Sequence, residues 1–173
     1  MNRYIYEISK DKEEREVKNE RILNLFDTYA DDLYRFAVSY TGSKQEAEDI
    51  VQDLFLKLIS KNIILGKSYE KAYLMKMTAN LCKDYLKAGR VTQTASYDAL
   101  EDYLGADVTV TGEDRLVYAS LMELEEAFRE PIYLHYYEGY TYREIAGILQ
   151  ISESAVAMRI SRGKEALRKR MEV

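Results

Sequence analysis

The sequence predicts an all-α protein of two small helical domains joined by a flexible acidic linker. Three observations carry this. One Pro and eight Gly in 173 residues leave almost no punctuation for the many turns of a sandwich or barrel. Hydrophobic residues make up 47% and charged residues 32%, a balance that supplies a packed core and argues against wholesale disorder. Apolar residues recur at steps of three and four in both halves, and the stretch between the halves lacks that period. The length suits one ordinary domain or two small ones.

In the first half, Ile22, Leu25, Phe26, Tyr29, Leu33, Phe36, Ala37 and Tyr40 form the stripe of an amphipathic helix or helix pair. Ser43 opens a capping box with Glu46, and the helix that follows buries Ala47, Ile50, Val51, Leu54, Phe55 and Leu58. That leaves Glu46, Glu48, Asp49, Gln52 and Asp53 for solvent or a partner. Residues Asn62 to Ser68, with Gly66, read as a loop. A third helix, about Tyr69 to Ala88, turns Leu74, Met77, Leu81 and Tyr85 inward. Another of its faces carries Tyr73, Lys76, Asn80, Lys83 and Lys87, with Asp84 beside Asn80. Such a stripe suits a nucleic-acid single strand, because ammoniums follow phosphates, rings stack on bases and amides read base edges. A solvated helix face would show the same pattern.

In the second half, Leu116, Leu121, Leu124 and Phe128 suggest one helix, with Pro131 at the first position of the next, where a missing amide proton costs nothing. Gly139 ends that helix. Thr141 and Glu144 form a second capping box for a short helix with Ile145, Ala146, Ile148 and Leu149. Gln150 to Ser152 form a turn, and a longer helix runs from Glu153 to about Arg170. This is helix, three-residue turn, helix. Val156, Ile160, Gly163 and Leu167 mark the packed face of the last helix, and small Ala146 and Gly163 would let its backbone approach the preceding helix. The opposite face offers Ser154, Met158, Ser161 and Arg162, flanked by Ala155, Ala157 and Arg159, to a major groove. An αα-hairpin with a solvated surface is the plainer alternative. Arg168, Lys169 and Arg170 complement the dipole at the helix end.

Charge separates the two halves. Net charge is -5, yet residues 96 to 126 hold nine acids against the single base Arg115, so the remainder is positive. Basic zones at residues 71 to 93 and 161 to 171 flank this acidic middle. The domains are therefore a 1–19 N-terminal extension, a first domain at 20–90, a linker at 91–112 and a second domain at 113–173.

Several function classes are excluded or disfavoured. One Cys, Cys82, and one His, His135, make no intrachain disulfide and supply too few soft ligands for a structural zinc site. Both read as core-facing. Walker, dinucleotide, HExxH and nucleophile-elbow motifs are absent. The reading is of a protein that is no enzyme and holds no metal or cofactor. No apolar run approaches the ~20 residues of a membrane span, and the N-terminal residues are too charged for a secretory signal, which points to a cytoplasmic protein without membrane insertion.

On these motifs the sequence resembles bacterial RNA polymerase sigma factors of the extracytoplasmic-function type, over most of residues 20 to 171. The segment DDLYRFAVSYTGSKQEAEDIVQDLFLKLI resembles the core-polymerase-binding part of sigma domain 2. AYLMKMTANLCKDYLKAGR is similar to the helix that melts and reads the minus-ten element, with Asn80, Asp84 and Tyr85 in the family's Asn-x-x-x-Asp-Tyr arrangement. YEGYTYREIAGILQISESAVAMRISRGKEALRKRM resembles domain 4, the helix-turn-helix for the minus-thirty-five element. The resemblance implies a transcription initiation factor that binds core RNA polymerase and directs it to promoters. It implies that Glu46, Glu48, Asp49 and Asp53 dock on the clamp helices of the largest subunit, with a further contact in the flap region. It implies that Tyr73, Lys76, Asn80, Lys83, Asp84 and Lys87, with the 62–68 loop, capture minus-ten bases, and that Ser154, Ala155, Ala157, Met158, Arg159, Ser161 and Arg162 face the minus-thirty-five duplex. An anti-sigma factor is the further partner it implies. The chain departs from the family at Tyr73, where a Trp is usual, at Gln150, where a Gly is usual, and at Ala157, where a basic residue is frequent. Gln150 then has to take a left-handed conformation at about 1 kcal/mol. The alternatives are a stand-alone helix-turn-helix regulator, which leaves the first ninety residues without a task, and a helical protein-protein adaptor.

Overall fold

The computed structural model describes residues 2–61, 66, 69–88 and 111–171, with side chains described from Val17 onward. These residues form seven helices and no strand: α1 (Asn2–Thr41), α2 (Lys44–Lys61), α3 (Glu70–Lys87), α4 (Gly112–Met122), α5 (Glu126–Tyr136), α6 (Tyr142–Leu149) and α7 (Glu153–Met171). The stripe expected of a helix or helix pair is one helix, and α1 runs unbroken through the expected N-terminal extension. Gly42, in the left-handed region at φ +69°, stops it, and the Gly42 amide donates to Val38 O at 2.8 Å.

The α2 stripe is buried as expected, from Ala47 to Leu58. It packs on Leu33, Phe36 and Ala37 of α1 and on Leu74 and Leu81 of α3, all within one core. Phe26 departs from its expected place: it is 44% exposed and lies edge-on to Phe55, ring centroids 5.0 Å apart. Met77 and Tyr85 are half-buried. Met75, Thr78, Ala79 and Cys82 form a second buried face of α3. That face exists because α3 lies against α6 of the second half as well as against α1 and α2.

In the second half the expected single helix through Leu116 and Phe128 is two. Thr111 caps α4 with Asp114 in a reciprocal box, and the chain breaks at residues 123–125 before α5. Leu116 is half-exposed. Pro131 is not at a first position. It sits inside α5, buried, as the sixth residue of the helix, where the amide it lacks would have reached Ala127 O. Gly163 supports a close approach to α5 and not to α6: a Cβ there would meet Ile132 Cδ1 at 2.6 Å and Phe128 Cβ at 3.2 Å. Of the expected linker, residues 91–110 lie outside the described residues, and Thr111 and Gly112 cap and open α4.

The two halves share one continuous core, with Phe36 of α1 against Tyr133 of α5 at 5.5 Å between ring centroids. Arg129 of α5 joins them further. Its Nη1 donates to Met122 O at 2.7 Å and its Nη2 to Tyr40 O at 2.8 Å, so one buried guanidinium serves the carbonyl ends of α4 and α1. Among the described residues no helix is long and apolar enough to cross a membrane.

Candidate nucleic-acid interface

The turn between α6 and α7 is built from local chemistry. Thr141 N donates to Glu144 Oε2 at 2.9 Å, and Glu144 N returns a bond to Thr141 Oγ1 at 3.3 Å. The Thr141 amide and hydroxyl hold the Glu144 carboxyl below the usual carboxylate range. Gln150 takes φ 59° and ψ 44°, the left-handed conformation its place in the turn demands. Ile151 N donates to Ala146 O at 3.1 Å, and Ser152 Oγ accepts from Ala155 N at 3.1 Å to start α7. With Val156 and Ile160 buried, α7 presents Ser154, Met158, Ser161 and Arg162 to solvent. Ala155, Ala157 and Arg159 are half-buried at the edge of that face, and the Ser154 hydroxyl lies 3.0 Å from that of Ser152. Of the basic tail, Arg170 binds Glu123, just after α4, at 3.1 Å and Lys169 binds Glu165 at 2.9 Å. These partners are side-chain acids, so the tail does more than face the helix dipole.

On α3, Tyr73, Asn80, Asp84 and Lys87 are exposed and Lys76 is half-buried. Lys83 is set apart from the stripe: its Nζ is 4.0 Å from Glu130 of α5. Of the 62–68 loop only Gly66 is described, and it is exposed. On α2, Glu48 and Asp49 are exposed, while Glu46 is half-buried. Asp53 is half-buried and accepts from Tyr85 Oη at 2.9 Å, which ties it to α3. Cys82 is fully buried; His135 is only half-buried, with Nδ1 2.8 Å from Tyr140 O. Among the described residues no group of three or more His, Cys, Asp or Glu side chains could hold a metal ion.

The charged residues that join the halves carry no sequence pattern that marks them. Lys71 of α3 binds Asp32 of α1 at 2.7 Å and Glu138, after α5, at 2.8 Å. Burial works against the Lys71 ammonium, but its bonds to Asp32 and Glu138 outweigh that and hold it above its usual range. Burial likewise would raise the Asp32 carboxyl, and the bonds from Lys71 and Arg35 bring it below the usual value. Glu130 is 3% exposed, and burial raises its carboxyl against the pull of Lys83 and Arg159. A carboxyl raised on folding stabilises below its unfolded value and loses that contribution as pH rises through the folded one. Glu130→Gln is therefore expected to flatten the decline of stability between mildly acidic and neutral pH, as read by thermal melts across that interval.

With this geometry in place, comparison with known proteins gives a consistent answer. The family models for sigma-70 region 2 and sigma-70 region 4 match residues 25–91 and 114–167. The ECF RNA polymerase sigma factor SigX of Bacillus subtilis is 30% identical over 160 residues, covering 86% of this chain and 82% of that protein. SigM of the same organism is 25% identical over 148 residues, covering 83% and 91%. Among solved structures, the Bartonella quintana sigma factor RpoE, in complex with the anti-sigma factor NepR, superposes with a TM-score of 0.61 at 22% identity. That match spans 90% of this chain and 96% of RpoE.

A helical unit followed by a helix-turn-helix, matched in that order, defines a member of the sigma-70 family. Within that family the chain belongs to the ECF RNA polymerase sigma factors.

Proposed function

We propose that this protein is a transcription initiation factor that binds core RNA polymerase, brings it to two promoter elements and helps open the DNA, without being an enzyme. The observation that carries the reading is the pairing of an exposed α7 face, fixed by the Gln150 turn, with the exposed residues of α3 on one chain. Met158, Ser161 and Arg162 at the centre of that face, with Ser154, Ala155, Ala157 and Arg159 around them, contact the minus-thirty-five duplex. Tyr73, Lys76, Asn80, Asp84 and Lys87, joined by Lys83 once it leaves Glu130, hold unstacked minus-ten bases. Opening is then an exchange of base stacking for protein contacts, with no hydrolysis. Glu46, Glu48, Asp49 and Asp53 form the acidic side toward the polymerase clamp helices, and the second domain reaches the flap. The protein acts in the cytoplasm, where an anti-sigma factor, the kind of partner bound to RpoE, restrains it.

The test is to mix purified chain with core polymerase. A sigma factor co-elutes as a one-to-one complex and starts transcripts, whereas a stand-alone regulator or an adaptor does neither. Arg162→Ala is expected to weaken promoter-duplex binding by about 1 to 3 kcal/mol and relax selectivity at one base position. Fluorescence-anisotropy titration against matched and single-substituted duplexes measures both.

A further inference from the structure

We infer that Lys18 and Arg21, one turn apart on α1 and ahead of the residues matched to sigma-70 region 2, are positioning residues that fix the start of α3 against the end of α2 for reading the minus-ten strand. The inference rests on the proposed reading of α3 as the strand-facing helix.

The chain leaves α2 after Lys61 and enters α3 at Glu70. Helix ends carry backbone groups without a partner inside the helix, carbonyls at one end and amides at the other, with partial charges to match. Lys18 Nζ donates to Ile59 O, in the last turn of α2, at 2.8 Å. An ammonium is the favoured partner there. Glu70, in the first turn of α3, has the sign that a helix N-terminus favours, and Arg21 Nη2 donates to its Oε1 at 3.0 Å. Side chains three residues apart on a helix are neighbours. A single turn of α1 therefore grips both helix ends, one through a carbonyl and the other through a carboxylate.

Folding stability is not what these bonds chiefly supply. Ion pairs in contact with water contribute little to it, and the Arg21 side chain is 41% exposed. This part of α1 is already held to the core by Ile22 and Leu25. The bonds instead restrict how α3 begins. Tyr69 immediately precedes Glu70, and Tyr73 lies one turn beyond it; both rings are exposed, Tyr69 at 76%. A base stacks well only on a ring at the right height and tilt, so the worth of an exposed ring follows the helix start that carries it. The Glu70 side chain, by contrast, is only 14% exposed. Holding that carboxylate holds the helix start, and with it the rings on either side of Glu70.

The experiment uses the full chain bound to core polymerase. The probes are a pool of single strands of random sequence and a pool of random duplexes, and sequencing of the retained DNA reports base enrichment in each. Wild type is expected to enrich particular bases in both pools. Arg21→Glu, which sets like charges at Glu70, is expected to cut single-strand enrichment about threefold or more, with duplex enrichment, core affinity and thermal midpoint unchanged. Glu70→Gln on the Arg21→Glu background removes the repulsion and restores part of the loss, and Arg21→Lys alone retains most of the enrichment. Lys18→Met shifts the single-strand reading in the same direction as Arg21→Glu. Arg21→Ala takes the place of Arg21→Glu should that variant lose its helical circular dichroism. An Arg21→Glu variant that enriches single strands as wild type does, that loses enrichment in both pools alike, or that Glu70→Gln does not rescue overturns the inference alone. A wild-type complex that enriches duplexes but no single strands overturns the reading of α3, and the inference with it.

Discussion

Arg129→Met is expected to lower the unfolding free energy by about 3 to 5 kcal/mol, the range for removing one partner from a buried charged network. Arg129 is 6% exposed, and its guanidinium bonds Met122 O, Leu124 O and Tyr40 O. Methionine fills much of the volume but leaves those carbonyls without their donor in an enclosed site, and each such loss has its own desolvation cost. Burial draws the Arg129 pKa down, with Glu126 and Glu130 opposing, so the charge is held in place by surrounding acids as well as by carbonyl dipoles. Arg129→Lys is expected to lose about half as much, because a point charge reaches one helix end where the fork reaches two. Guanidinium denaturation with the m-value compared across variants checks this. A midpoint shift without change in m identifies lost interactions, whereas a reduced m signals that the two halves have come apart in the native state.

Gly163→Val is expected to destabilise by about 1 to 3 kcal/mol. Glycine in a helix interior is ordinarily worse than alanine by up to about 1 kcal/mol, so the default expectation is a gain. Geometry reverses it here: the first added carbon already meets Ile132 Cδ1 at 2.6 Å, and Phe128 Cβ lies at 3.2 Å. Ile132 Cδ1 is the mobile end of a side chain, but Phe128 Cβ is anchored to the backbone, and valine adds two further carbons to that contact. Gly147, an exposed helical glycine with nothing within 4 Å of its Cβ position, is the matched comparison, and Gly147→Ala is expected to stabilise. The pair of thermal melts separates backbone entropy from the crossing of α5 with α7.

Local signals in the sequence were legible wherever the structure is locally determined. The α2 stripe needs only helical period, the Thr141 box needs two residues three apart, and the Gln150 turn follows from a helix that must stop before the next begins. The expected DNA-facing residues of α7 are exposed or edge-on for the same reason. What escaped depends on the neighbour. Met75, Thr78, Ala79 and Cys82 make a second buried face of α3, and a helix covered on two sides has no single stripe for periodicity to report. Gly163 announces a close approach without saying to what, and the partner is α5. Phe26 satisfies the apolar period of α1 yet stays half-exposed, covered by the edge-on ring of Phe55 of α2. Pro131 shows that a tertiary environment overrides a strong local rule, since α5 keeps it in its interior. Arg129, Glu130 and Glu138 were unreadable in advance: a buried charge is defined by partners distant in the chain, and nothing in E-A-F-R-E-P names them.

Cys82 is the only cysteine of the chain and is wholly enclosed where α3 meets the second half, its sulfhydryl pushed well above the usual range by burial beside Glu130. An iodoacetamide or maleimide reagent cannot reach that sulfur while the halves stay together, and a protonated sulfur reacts slowly in any case. The speed of alkylation therefore clocks how frequently the molecule gapes, with no engineered label and in the natural sequence.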